Sequence, residues 1–214
     1  MKRITLSNLL PNVFQDGRVI NSEVWNSEVT LDQGKHYLIE AASGTGKSSL
    51  LSFLYGYRVD FSGRILFDER ASSTLSIKEW TRLRQAEFAI LFQELRLFPE
   101  LTALENIHIK NQLTGYKTEQ EIETYFEALG IGEKKHQLCG KLSWGQRQRV
   151  AFIRTLCQPC AFLFLDEPIS HLDRENGEIM KALLLEELNR QGAGLILTSI
   201  GKHLDMPYHT HLTL

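Results

Sequence analysis

The chain has 214 residues, 43% of them hydrophobic and 23% charged, with a formal net charge of −2 at pH 7. Such a length can bury about 70% of the unfolded surface, and so small a net charge without a basic stripe argues against a general nucleic-acid binder. No apolar run approaches the ~20 residues that cross a bilayer, and the opening MKRITLSNLLPNVF lacks the uninterrupted apolar stretch of a secretory signal, so a cytosolic chain is expected.

Short strands are predicted at 2–6, 24–31 and 36–40, separated by the turn signals Asp16-Gly17 and Gln33-Gly34. The third runs into HYLIEAASGTGKSSLL at 36–51, a strand, a small-residue loop and a helix start that together form a P-loop. Ala41, Ala42, Ser43, Gly44, Thr45 and Gly46 let the backbone wrap closely, so that successive N–H groups face phosphate oxygens. Lys47 adds a point charge for the β and γ phosphates, Ser48 offers a hydroxyl to Mg²⁺, and Ser49 follows on the same helix turn. An ordinary strand-to-helix turn has no reason to hold Gly44, Gly46, Lys47 and Ser48 in this register.

A strand at Ala89–Phe92 delivers Gln93, whose amide can ligate Mg²⁺ and hydrogen-bond an attacking water. The next apolar residues, Leu95, Leu97, Phe98 and Leu101, are too greasy for a solvated loop; they either pack beneath their own helices or dock a partner. Thr118 with Glu121 reads as a capping box, and Ile122, Tyr125, Phe126 and Leu129 form one stripe before Gly130 ends the helix. At 142–151, LSWGQRQRVA runs a short turn holding Ser143 and Gly145 straight into a helix, which makes a second anion site at a helix N-terminus.

Cys157-Gln158-Pro159-Cys160 has the spacing of a redox pair, but it follows a helix and so meets the wrong end of the dipole; both thiols are expected to be structural. With Cys139 they make an odd set of three, which suits a reducing compartment. AFLFLDEP at 161–168 is the pattern of a buried parallel strand that presents Asp166 and Glu167 at its C-terminal edge. Asp166 suits Mg²⁺ and Glu167 suits a general base. Asp173 then caps a helix with Ile179, Leu183, Leu184 and Leu188 inward until Gly192 and Gly194; GLILTS is the next buried strand, and 208–214 the last. His209 and His211 share a face there, without the carboxylate or cysteine that a metal pair needs.

The P-loop, Gln93, LSWGQ, FLFLDEP and the following ISHLD, in this order, resemble the ATPase subunit of an ABC transporter over essentially the whole chain. Within that family the likeness is to the small cassettes of lipoprotein-releasing, macrolide-exporting and cell-division systems. The resemblance implies an α/β P-loop NTPase fold, one ATPase domain over 1–214, with an N-terminal antiparallel β subdomain and a helical lobe inserted at about 95–150. It implies ATP and Mg²⁺ as ligands and a head-to-tail dimer in which Ser143, Gly145 and Gln146 cap the γ-phosphate on a second ABC ATPase subunit. Phe14 matches the family's adenine-stacking aromatic, or is a core phenylalanine. Partners are integral membrane subunits, with the chain peripheral on the cytoplasmic face of the membrane and no role for nucleic acid.

Three positions depart from the family pattern. Ala41 replaces the first P-loop glycine, Trp144 the first glycine of the signature, and Ser199 the histidine that contacts the γ-phosphate. The last implies turnover that is slow, or that needs membrane subunits or a different cassette partner, or else an ATP-gated binding module with little hydrolysis, unless His203 reaches inward in its place.

Overall fold

The inner parallel strands of this protein are apolar on both faces, and the two faces feed different halves of the core. In the computed structural model, which describes residues 1–14, 21–42, 44–169 and 173–214, β1 (Arg3–Pro11), β2 (Glu28–Asp32), β3 (His36–Glu40) and α1 (Lys47–Leu54) come first. β4 (Phe61–Phe67), β5 (Arg70–Ala71), α2 (Ile77–Ala86) and β6 (Phe88–Leu91) follow, then α3 (Ala103–Asn111), α4 (Glu119–Ala128) and α5 (Trp144–Leu156). β7 (Phe162–Asp166), α6 (Arg174–Gln191), β8 (Gly194–Ser199) and β9 (Thr210–Thr213) complete the order.

Among the described residues the strands form an antiparallel sheet ordered β2-β1-β4-β5 and a parallel sheet ordered β6-β7-β8-β3-β9. Strand alternation sorts the parallel sheet. Leu38, Leu163, Leu165, Leu195 and Leu197 face α3–α6, in one cluster with Ile107, Phe126, Phe152 and Leu184. Tyr37, Ile39, Phe162, Phe164 and Ile196 face α1 and the antiparallel sheet, with Leu50, Phe53, Ile4 and Leu31. The arrangement is the α/β fold expected, with helices from the 95–150 interval sharing a core with the parallel sheet.

Several boundaries move. The strand expected at 24–31 begins only at Glu28, because the Ser22 hydroxyl accepts from the Val24 and Trp25 N–H groups and bends 22–25 into a turn. The strand expected at 2–6 extends to Pro11 through a register shift between Ser7 and Leu10. β4, β5 and α2 have no counterpart in the sequence expectations. The capping box at 118–121, the stripe before Gly130 and the Asp173 cap form as expected. The Asp16-Gly17 turn lies outside the described residues. Cys157 and Cys160 are structural: both are buried, and burial pushes each thiol up to about 12.

A buried ion pair ties the start of α4 to α6. Lys117, just before α4, donates to Glu187 of α6 at 2.5 Å, and both side chains are almost fully buried. Tyr116 and Tyr125 donate their hydroxyls to the same carboxylate. Burial works to raise the Glu187 pKa, but the donors from Lys117 and Tyr116 outweigh it and hold the group below the usual range. Removing one partner leaves a buried charge uncompensated. Lys117→Met is therefore expected to lower the unfolding free energy by about 3–5 kcal/mol, as read by urea denaturation at pH 7; a loss of under ~1 kcal/mol would refute the assignment.

Candidate functional site

Sheet register sets the geometry of the site. β3, β7 and β8 run parallel with Glu40 opposite Ser199 and Asp166 opposite Thr198, so the loops after them leave from one edge. Ala41 extends the pairing by donating to Ser199 O at 3.1 Å. The P-loop then turns through Gly44 and Gly46, with φ of 83° and 102°, a region that side chains disfavour. Gly46 caps α1, and a Cβ there would sit 3.0 Å from the Trp25 ring and 3.3 Å from Phe14.

Lys47 is buried, and its ammonium donates to Ala42 O at 3.2 Å while lying 3.6 Å from the Glu167 carboxylate. Gln93 Nε2 donates to the other Glu167 oxygen at 3.5 Å. Glu167 itself sits at φ 50°, a left-handed conformation in a non-glycine residue. Next to it, Asp166 is buried with one carboxyl oxygen accepting from the Thr198 hydroxyl at 2.7 Å. Thr45 turns its hydroxyl back to Ala42 O at 2.9 Å, and Ser49 accepts from Arg58 at 2.8 Å. A cavity of about 280 Å³ is lined by Gly44, Gly46, Lys47, Ser48, Ser49, Gln93, Glu167 and Ile200.

The structure thus brings Lys47, Ser48, Gln93 and Glu167 together, with Asp166 on the strand end beneath them. Phe14 does not line this cavity; it packs against Gly46 and the core around Leu50. Ser43, and Ser170, His171 and Leu172 of ISHLD, lie outside the described residues. Ser143, Gly145 and Gln146 stand apart at the start of α5, where the Ser143 hydroxyl accepts from the Gln146 backbone N–H and the Gln146 side-chain Oε1 accepts from the Ser143 backbone N–H. Trp144 is partly exposed, with Arg147 over its ring.

At the position of the third departure, Ser199 is fully buried and donates to Lys202 O at 2.6 Å, so its hydroxyl is engaged by its own loop. Ile200 faces the cavity instead. His203 does not reach inward: it lies 3.5 Å from Glu40 and stacks edge-on near Tyr208 and His211. Two residues of the site escaped the sequence reading. Thr198 reads in the sequence only as part of a strand, and Trp25, whose indole N–H donates to Thr45 O at 3.0 Å, belongs to no motif.

Beside this site, between β6, α3 and α5, lies a groove of about 340 Å³ walled by Tyr55, Tyr57, Phe92 and Phe98. Leu95 and Leu97 pack into the core, whereas Phe98 is half exposed. Leu95 and Arg96 both have positive φ, and Arg154 donates to both their carbonyls at 2.6 and 2.8 Å. Arg96 stacks 3.8 Å above Phe92.

A family model described as ABC transporter matches residues 24–170. The chain belongs to the ABC transporter family. Over 159 residues it is 35% identical to the lipoprotein-releasing system ATP-binding protein LolD of Saccharophagus degradans, covering 73% of this chain and 70% of that one. The macrolide export ATP-binding/permease protein MacB of Bartonella henselae is 30% identical over 92% of this chain, which spans only 30% of that longer protein. Among solved structures, a dimeric ATP-binding cassette in a post-hydrolysis state bound to ADP and Pi superposes with a TM-score of 0.75 at 26% identity, covering 92% of this chain and 87% of that one.

In this ABC cassette the groove carries a titration that can be measured. Burial, with Arg154 nearby, pushes the Lys110 ammonium down from 10.5 to about 8. A folded value below the unfolded one penalises the fold fully below pH ~8, and the penalty fades as pH rises towards the unfolded pKa of about 10.4. Its acceptor, Arg84 O, also receives Gln158 and so is not orphaned by substitution. Lys110→Met is expected to add about 1–3 kcal/mol to stability at pH 7 and nothing at pH 11; urea unfolding at the two pH values checks the sign.

Proposed function

We propose that this chain is the ATP-binding and ATP-hydrolysing subunit of an ABC transporter, closing head to tail with a second ATPase subunit on Mg-ATP. The observation that carries this reading is the convergence of Lys47, Gln93 and Glu167 on one cavity beside a P-loop start of α1. The P-loop N–H groups and Lys47 would bind the triphosphate, with α1 adding its positive end. Ser48, Gln93 and Asp166 present hydroxyl, amide and carboxylate oxygens, the donor chemistry that Mg²⁺ takes. When bound, Mg²⁺ supplies charge neutralisation on the β- and γ-phosphate oxygens.

Thr198 fixes the Asp166 carboxyl in one orientation, and Glu167 takes the proton of the attacking water while Gln93 orients it. In that attack an oxygen–phosphorus bond forms and the β–γ bridging bond breaks, leaving ADP and phosphate. Ser143, Gly145 and Gln146 would cap the γ-phosphate held by the partner's P-loop, as an isologous dimer allows. Phe14 is assigned to the adenine from its match to the family's stacking aromatic; its ring contacts the P-loop at Gly46. The aromatic groove around Phe98, with Arg96 and Arg154, is the proposed docking surface for integral membrane subunits. Attachment is proposed to be peripheral, from the cytoplasmic face; among the described residues no helix is long and apolar enough to cross a membrane.

The second reading, an ATP-gated module with little turnover, is favoured by one observation: Ser199 points its hydroxyl away and Ile200 faces the cavity. Two variants separate the readings. Glu167→Gln is expected to reduce phosphate release about 10²- to 10⁴-fold while ATP drives the chain into a dimer detectable by light scattering; an ATP-loaded variant that stays monomeric, with its membrane subunits present, sinks the sandwich. Ser199→His, checked by thermal melting to be folded, is expected to raise kcat roughly tenfold or more, the worth of one charge-assisted hydrogen bond. An unchanged rate would remove Ser199 as the cause of any slow turnover.

A further inference from the structure

Trp25 lies outside every motif, yet it is almost completely buried and touches the P-loop in two ways. Its indole N–H donates to Thr45 O at 3.0 Å, and its ring is what a Cβ on Gly46 would strike at 3.0 Å. The contact is braced from behind. Ser22 accepts from the Trp25 N–H at 2.9 Å, and Glu23 exchanges backbone and side-chain hydrogen bonds with Thr213 at the end of β9, at 2.9 and 2.7 Å.

The carbonyl that Trp25 holds belongs to the same planar unit as the Gly46 N–H. In a trans peptide the C=O and the N–H point in opposite directions, so fixing the Thr45 oxygen towards Trp25 turns the Gly46 N–H away from it, and Gly46 itself lines the cavity with Lys47 and Ser48. At φ 102°, with no Cβ, Gly46 has more torsional freedom than any other residue would, and a loop built of small residues needs an external restraint to keep its donors aimed. We infer that Trp25 is a positioning residue for phosphate binding: a strut from the β9 side of the molecule that orients the Gly46 N–H in the P-loop. The inference rests on the reading of that cavity as the nucleotide site, and it adds a residue that acts through the backbone rather than by touching the ligand.

Trp25→Phe keeps an aromatic ring in the pocket and deletes the donor, together with the outer edge of the indole that meets Gly46. With a neutral hydrogen bond at stake, ADP binding measured by calorimetry is expected to weaken roughly 3- to 10-fold, and the KM for ATP to rise by a similar factor with kcat within about twofold. Trp80→Phe, which trims an indole packed against Gly56 and outside the cavity lining, is expected to leave ADP affinity unchanged. An ADP affinity within twofold of wild type in the Trp25 variant, or an equal loss in the Trp80 variant, overturns the inference. Should the Trp25 variant not fold, the wild-type chain labelled with ¹⁵N-tryptophan gives a second reading: the Trp25 indole resonance moves on ADP titration while that of Trp80 does not, and a Trp25 signal indifferent to ADP overturns the inference equally. If the wild-type chain binds no ADP at all, the nucleotide reading of the cavity falls first and this one with it.

Discussion

Everything in this molecule depends on the register of the central parallel strands. Because β3, β7 and β8 run the same way with Glu40 level with Ser199 and Asp166 level with Thr198, their C-terminal ends deliver the P-loop, the acidic pair and the Ser199 loop to a single edge. A slip of one residue would turn every side chain to the other face. Here such a slip would put Phe162 and Phe164 where Leu163 and Leu165 now meet α5 and α6, and would carry Asp166 off the edge. Two tightly packed cores therefore enforce the position of two carboxylates that neither core contains.

At that edge the chemistry is a balance of opposite charges held close. Lys47 has two engagements, the Ala42 carbonyl and the Glu167 carboxylate, and Glu167 has Lys47 and Gln93. Left-handed backbone at Glu167 costs on the order of 1–3 kcal/mol, and it is the turn directly after the buried Asp166 that imposes it. Strain and ion pairing thus locate the same side chain. In the proposed ATPase, a carboxylate held by a cation 3.6 Å away would be preorganised for a site in which that cation acquires phosphate oxygens as partners instead.

How much of this was legible follows from which signals are local. The P-loop, the acidic strand and GLILTS are continuous in sequence, and their apolar runs can only be buried strands, so β3, β7 and β8 were readable nearly to the residue. Helix starts were readable in principle. Ser76–Glu79, Thr102–Glu105 and Ser143–Gln146 each form a reciprocal cap like the one seen at Thr118–Glu121, and the S/T-x-x-E/Q spacing was present at all four. β4 was hidden because Gly63 and Arg64 interrupt its alternation, which makes sense only once Gly63 is seen pressed against the Asn8 backbone of β1. Trp25 and Thr198 were invisible for a different reason: their partners, Thr45 and Asp166, are 20 and 32 residues away, and no pattern within either segment encodes the pairing.

The self-capped start of α5 bears on how the proposed dimer could work. With Ser143 and Gln146 hydrogen-bonded to each other's backbone, the turn is complete without a ligand, and its shape does not depend on one. A site that is already formed pays little ordering entropy when an anion arrives. What it offers is a helix of 13 residues whose positive end is exposed beside Gly145, with Trp144 and Arg147 stacked at its rim. The glycine lets a phosphate approach the backbone, while the bulky ring beside it restricts the directions of approach. In the proposed dimer Trp144 would act as a filter on which surface closes over this helix end, and the preformed cap explains how the turn keeps its geometry despite the substitution.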